Sequence, residues 1–178
     1  MGFYYKFCPK CAGRMYRKIP EGDSRKRDVC GTCGFIHYEN PLLVVGTIPI
    51  CEGKILLCRR AIEPAYGKWT LPAGFLEAHE GIGDGAIRET MEESGVEVDL
   101  GSLFSVIDCP RASNEVCFFL AEVVSPVLDP GPETIEERFF SEEEIPWQDL
   151  SFRTVSKTLE HYFADRKKGA FDLHYFKI

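Results

Sequence analysis

Glu89, Glu92 and Glu93 stand at i, i+3 and i+4 in the segment GFLEAHEGIGDGAIRETMEESGV, residues 74–96. On a helix that spacing brings three carboxylates onto one face, with Cβ atoms roughly 5–6 Å apart. Like charges so close repel, and an isolated helix gains nothing from them. Hard cations such as Mg²⁺ take oxygen ligands, commonly carboxylates together with substrate phosphates, and would convert the repulsion into binding. The segment reads as a device that holds divalent ions against a diphosphate, with Glu80 and Arg88 as further charges and Gly74 as a turn. The competing reading is a solvated acidic face.

The elements that must position these acids follow from local signals. Gly81, Gly83 and Gly85 are poor helix residues, so the helix is expected over 84–94, where Asp84 suits the positive end of the helix dipole. Gly95 is placed to end it in the left-handed conformation. Ile87, Thr90, Met91 and Ser94 form the stripe expected to rest on a sheet and point the acids outward.

A second constellation lies near the start of the chain. Cys8-Pro-Lys-Cys11 and Cys30-Gly-Thr-Cys33 are two CxxC knuckles separated by 18 residues, a spacing that reads as a tetrahedral structural Zn²⁺ site. A redox CxxC is the alternative, but redox motifs seldom come in paired sets. Cys51, Cys58, Cys109 and Cys117 sit in apolar surroundings and read as small buried hydrophobes. Residues 1–37 carry eight basic and three acidic side chains, a net of +5, which leaves −12 for the remainder of a chain whose total is −7. An acidic remainder would repel a polyanion, so nucleic acid is not expected as a partner.

The 74–96 segment resembles the Nudix box: a glycine, five residues, Glu, seven residues, Arg-Glu, an aliphatic, any residue, Glu-Glu, any residue, Gly, an aliphatic. Thr90 departs from it, standing where an aliphatic is usual. The resemblance implies an α+β fold, the Nudix αβα sandwich with a mixed sheet, here preceded by a small zinc ribbon. It implies Mg²⁺ or Mn²⁺ bound by Glu89, Glu92 and Glu93 with the backbone carbonyl of Ala73, and an Arg88–Glu80 pair bracing the loop that starts at Gly74. In zinc-ribbon Nudix enzymes a glutamate before a late strand completes the metal site, which selects Glu133 over Glu136 and Glu137; a charged surface loop is the other reading of these three. Glu89, Glu92, Glu93 and Glu133 are the catalytic candidates, since one of them must take a proton from the attacking water.

Substrate choice is fainter. Many NADH-cleaving members carry a Ser-Gln-Pro-Trp array, and the corresponding stretch here reads Ser105-Val106-Ile107-Asp108-Cys109-Pro110. The layout of ribbon, ENPLLVVG, LLCRRAIEPAYGKWTLPAGFLE, GPETIEERFF and KKGAFDLHYFKI is similar to plant chloroplast Nudix hydrolases. That similarity implies cleavage of FAD to AMP and FMN, or of ADP-ribose to AMP and ribose 5-phosphate. Arg59 and Arg60, at a strand end, are candidate phosphate contacts, and Tyr66 and Phe75 candidate stacking partners, while Trp69 reads as core. His79 could approach the metals; His37, His161 and His174 read as structural or surface residues. The alternatives are an NADH or NAD pyrophosphatase, a non-catalytic nucleotide or nucleic-acid module, and an isomerase using Cys109 or Cys117.

The rest of the chain supplies the frame. Strands are expected over 42–50, 54–58, 96–99, 102–108, 115–124 and 136–140, with 125–132 a Pro-rich loop and 152–165 a helix presenting Leu159, Tyr162 and Phe163. The domains are then a zinc ribbon at 1–37, a Nudix domain at 38–165 and a C-terminal tail at 166–178. No apolar run of about 18 residues exists, so no membrane span is expected. With no hydrophobic leader, the expected setting is the cytoplasm. The expected partner is a small nucleotide-diphosphate substrate, and a homodimer is left open.

Overall fold

The computed structural model describes residues 5–178, and the chain divides into two units at the Asn40–Pro41 junction. In the first, Met15–Lys18 (β1), Arg27–Cys30 (β2) and Ile36–His37 (β3) form an antiparallel sheet. Among the described residues its apolar interior is a cluster of Cys8, Met15 and Cys30 with Phe35 against them, and Val29 is buried besides. An apolar cluster of that size contributes little, and small folds of this kind commonly depend on a staple such as a metal.

The second unit begins with a hairpin of Leu42–Cys51 (β4) and Lys54–Arg60 (β5). Glu52 and Gly53 both have positive φ, 49° and 76°, the twist that matches a two-residue hairpin turn. Trp69–Thr70 (β6) pairs with β5, and Ala73–Phe75 (β7) with β4. There follow Ile82–Ser94 (α1), Glu97–Cys109 (β8), Asn114–Ser125 (β9), Thr134–Phe140 (β10), Arg153–Lys168 (α2) and His174–Lys177 (β11). The strand order β10-β5-β4-β9-β8-β11 is mixed, with β4–β9 and β8–β11 parallel and the other pairs antiparallel.

Alternation along the strands gives the sheet two apolar faces. Ile48, Leu57, Val116 and Phe118 meet Val155, Leu159, Tyr162 and Phe163 of α2. Val45, Cys117 and Phe119 meet Ala86 of α1, while Leu56 and Ala121 meet Val96 and Val98 just beyond that helix. The sheet is therefore sandwiched between helices, as the fold class required.

Several local expectations are corrected. Helix α1 starts at Ile82, capped at Gly81, two residues earlier than helix propensity suggests. A Cβ on Gly85 would meet Val45, Leu76 and Glu80, so glycine here lets the helix approach the sheet, and that approach outweighs its low propensity. Ile87 and Met91 are exposed, and the face turned to the sheet is Gly85, Ala86, Thr90, Glu93 and Ser94. Thr90 Oγ1 donates to Ala86 O at 2.8 Å, which leaves the Thr47 hydroxyl to donate to it at 2.7 Å. This buried pair accounts for a polar residue where an aliphatic one is usual.

The strands expected over 96–99 and 102–108 are one, β8, with register shifts around Gly101 and Ser102. Residues 166–178 lie within the second unit. α2 continues to Lys168, ends at Gly169 with φ 74°, and β11 then adds to the sheet edge. Asp165, 1% exposed in its side chain, fastens this segment by accepting from Asp172 N at 3.1 Å and pairing with His174 Nε2 at 2.7 Å. His161 stacks on His174 with ring centroids 4.2 Å apart.

Candidate active site

The loop from β6 into α1 supplies one wall of the site and α1 the other. Gly74 lies so close to Glu89 that a Cβ there would overlap its carboxylate. Arg88 reaches back over the loop: Nη2 donates to Glu80 Oε1 at 2.8 Å and Nε to Glu80 Oε2 at 3.1 Å, while Nη2 also donates to Phe75 O at 3.2 Å. Its Nη1 contacts Glu89 at 2.7 Å and Glu92 at 3.1 Å. Hydrogen bonds from Arg88 and from Glu77 N–H pull the Glu80 carboxyl down to about 2. One guanidinium thus ties the loop to the helix and offsets part of the repulsion among the acids.

The three helix acids differ in environment. Glu92 is mostly exposed and Glu89 has a side-chain exposure of 13%, whereas Glu93 is buried on the sheet side. The expectation that all three point outward fails for Glu93, because position 93 shares the inward face with Thr90 and Ala86. Its Oε2 accepts from Ala73 N at 3.2 Å. Burial pushes the Glu93 carboxyl up to about 8; the Ala73 N–H and nearby Arg60 oppose this, and Glu89 and Glu133 add to it. Burial also raises Glu89, against the pull of Arg88 and with added repulsion from Glu92 and Glu133.

Glu133 is exposed, immediately before β10, and its carbonyl accepts from Ala61 N at 2.7 Å, which anchors its backbone beside the end of β5. Of the two arginines, Arg59 is engaged with Gly67 O at 2.9 Å and Glu136 at 3.3 Å. Arg60 donates through Nε to Pro64 O at 2.9 Å, and its guanidinium lies over the Phe152 ring. Its charge is the one felt at Glu93. Trp69 packs against the core and meets Phe140 edge-on, while Tyr66 and Phe75 are exposed. His79 is exposed with φ 74° and makes no side-chain contact that joins it to the acids.

The donor set fits a hard divalent cation. It consists of oxygens alone, and among the described residues the buried Glu93 carboxylate has the Ala73 N–H as its hydrogen-bond partner, so a cation would supply the compensation that the ionised form needs. The residues that would hold it are Glu89, Glu92, Glu93 and Glu133, with the Ala73 carbonyl.

The thiols of the first unit pass a geometric test of their own. Tetrahedral zinc with Zn–S of about 2.3 Å requires sulfurs roughly 3.8 Å apart. Cys8–Cys33, Cys11–Cys30 and Cys11–Cys33 lie at 3.8, 3.5 and 3.3 Å, and all four ligand atoms fall within 4.8 Å of one another. N–H groups of Lys10, Thr32 and Cys33 point at the sulfurs, each at 3.4 Å. The Cys33 N–H, against burial and with help from Thr32, lowers the Cys30 thiol to about 6, whereas Cys11, despite the Gly13 N–H, is pushed up to about 12 by Cys33 and Cys30, so the crowded sulfurs share protons that a bound metal would displace.

Comparison with known proteins agrees with this geometry. Residues 41–163 match the NUDIX domain family, and residues 6–39 match the Nudix N-terminal zinc-ribbon family. The chain belongs to the Nudix family. A crystal structure of a NUDIX hydrolase from Nitrosomonas europaea is 44% identical, with a TM-score of 0.95, covering 98% of this chain and 99% of that one. The NAD-capped RNA hydrolase NudC of Vibrio parahaemolyticus is 31% identical over 144 residues, 79% of this chain and 53% of that protein. An ADP-ribose pyrophosphatase of Methanocaldococcus jannaschii is 31% identical over 113 residues, 61% of this chain and 67% of that protein. This Nudix chain therefore spans about half the length of the Vibrio relative. The expectation against a nucleic-acid partner loses its support, since that relative is named for an RNA substrate. No helix among the described residues is long and apolar enough to cross a membrane.

Proposed function

We propose that the protein hydrolyses the diphosphate bond of nucleoside diphosphate derivatives, with FAD and ADP-ribose as first candidates, using Mg²⁺ or Mn²⁺. The observation that carries this reading is the graded set of carboxylates on α1, with Glu93 buried against Ala73 N and Glu89 pressed on Gly74. When bound, the cation neutralises the diphosphate and lowers the pKa of a water. The chain's own residues then act in three ways. Glu89, Glu92, Glu93 and Glu133 fix the site and offer a proton acceptor, with Glu133 preferred because it is exposed and, unlike the exposed Glu92, is not held by Arg88. Arg88 and Glu80 keep loop and helix in register. Arg60 lies close enough to influence Glu93 and is the better of the two arginines to meet a phosphate, since Arg59 is tied to Glu136.

ADP-ribose is supported by the Methanocaldococcus relative's name; FAD rests on the resemblance of the sequence layout to the plant enzymes alone. A second reading, cleavage of NADH, NAD or an NAD-capped RNA, is favoured by the Vibrio relative and by the +5 charge of residues 1–37, where Phe7 and Tyr16 are exposed, with Tyr38 exposed just beyond. Basic surface with exposed aromatic rings is the pattern that binds single strands. Four cysteines are gathered for a metal and none of the eight is in a disulfide, which suits the proposed cytoplasmic setting.

The deciding experiment is chromatography of products from FAD, ADP-ribose, NADH and NAD-capped RNA, each with Mg²⁺, Mn²⁺ or EDTA. Metal-dependent release of AMP, or of RNA with a 5′ monophosphate from the capped substrate, is expected from at least one. No metal-dependent cleavage of any of them refutes the proposal.

A further inference from the structure

Strand β10 carries a carboxylate that the proposed reaction does not yet use. Its pairing with β5 is Thr134↔Arg60, then Glu136↔Arg59 and Glu137↔Cys58, with a register shift between Thr134 and Glu136. Strict alternation from Thr134 would set Glu136 opposite Cys58. The inserted residue instead turns Glu136 to Arg59, with which it forms an ion pair, and places Glu137 beside Cys58. Bulges next to active sites commonly re-aim a side chain in this way.

The face on which Glu137 lies follows from its neighbours. Leu56, two residues before Cys58, and Phe139, two residues after Glu137, join the cluster containing Val96 at the end of α1. Glu137 and Cys58 therefore share the α1 side of the sheet, to which Glu93 is also turned. Cys58 is 1% exposed, its thiol meets the Thr134 hydroxyl, and it feels the charges of both Glu93 and Glu137. Both carboxylate oxygens of Glu137 are sealed from solvent and have no hydrogen-bond partner among the described residues. Burial, with Asp129 adding repulsion, pushes the carboxyl up to about 7. An uncompensated carboxylate is an expensive thing to bury, and a nearby cation is the usual compensation.

The geometry points to Glu137 as a positioning residue of the metal site, a carboxylate behind Cys58 whose negative charge strengthens divalent-cation binding at Glu93. The inference rests on the cation reading of α1. Glu137 acts through the field across Cys58, in an interior where charges interact far more strongly than in water. Sequence spacing alone left Glu133, Glu136 and Glu137 as alternatives; the bulge distributes them, with Glu136 spent on Arg59 and Glu137 turned inward.

The test is Mn²⁺ titration at pH 8 without substrate, reading free Mn²⁺ by electron paramagnetic resonance, for wild type, Glu137→Gln and Glu137→Asp. Thermal midpoints in EDTA are recorded alongside, and Glu137→Met replaces the Gln variant if that one does not fold. The expected result is a dissociation constant raised roughly three- to tenfold in Glu137→Gln, an effect on the order expected of one charge at this range. Glu137→Asp should recover most of the affinity. The metal-free midpoint of the Gln variant should be no lower than wild type, because a buried charge without a partner has been removed. A dissociation constant unchanged within twofold overturns the inference, as does weaker binding accompanied by a lowered midpoint. Wild type that binds no Mn²⁺ overturns the inference together with the cation reading beneath it, whereas tight binding unaffected by Glu137→Gln overturns the inference alone.

Discussion

Replacing Glu93 with glutamine should make the metal-free protein more stable, and increasingly so as the pH rises. The carboxyl is raised from 4.5 to about 8, chiefly by burial. Between those values the folded chain holds a proton that the unfolded chain has released, so the folded state loses about 1.4 kcal/mol for each unit of pH. The full interval corresponds to at most about 5 kcal/mol, and local relaxation and water penetration around a buried ion reduce it, so the expected range is about 2–5 kcal/mol. Glutamine keeps the shape and the acceptor for Ala73 N–H but carries no charge. Melting curves in EDTA from pH 5 to 9 compare the two proteins, and ionisations common to both cancel in the difference. The midpoints should coincide near pH 5 and separate until, above pH 8, the variant melts higher by roughly 5–15 °C, at 2–4 °C per kcal/mol for a chain of this size. Adding Mg²⁺ should narrow or reverse the gap, since a ligand stabilises only the protein that binds it. Parallel curves across the whole range would refute the buried, proton-holding Glu93.

Other expectations follow from the fold. Thr90→Val should cost about 1–3 kcal/mol by stranding the Thr47 hydroxyl, and Thr47→Val with Thr90→Val should restore much of that loss, measured as a double-mutant cycle in urea. Asp165→Ala should destabilise by about 2 kcal/mol and speed hydrogen exchange in His174–Lys177; normal exchange there would show that the clasp is idle. The Asp165 carboxyl, which burial alone would raise, is brought down to about 2 by His174, Asp172 N–H and Lys168. Its contribution is therefore complete above the ordinary carboxyl range and lost only as pH falls toward 2. Freshly purified protein should contain about one zinc per chain, and removing it with a strong chelator should abolish the protease resistance of the cysteine-bearing unit; a ribbon equally resistant without metal would contradict the zinc role.

What could be read in the residues was local. The i, i+3, i+4 spacing of Glu89, Glu92 and Glu93 and the C-x-x-C spacing within each cysteine knuckle depend on neighbours a few residues away, the Arg88–Glu80 pair was implied by the resemblance to the Nudix box, and the structure gathers those groups. The inward turn of Glu93 was not legible, because it depends on α1 meeting the sheet through Ala86, Thr90 and Ser94 rather than through Ile87 and Met91. Nor was the bulge in β10, which decides between Glu136 and Glu137 and has no signature in alternation. The two- to four-residue strands Trp69–Thr70, Ala73–Phe75 and His174–Lys177 are too short to carry a period, and they exist because longer strands offer them partners.

The central claim is that carboxylates on one helix hold the cation for diphosphate cleavage. It is tested most directly by the rate of AMP release at saturating Mg²⁺ from the best substrate of the panel, for wild type against Glu93→Gln, with circular dichroism confirming that both are folded. The account predicts a loss of at least about a hundredfold in kcat, on the scale of removing one electrostatic contact to a transition state. A folded Glu93→Gln protein that releases AMP at the wild-type rate would contradict it.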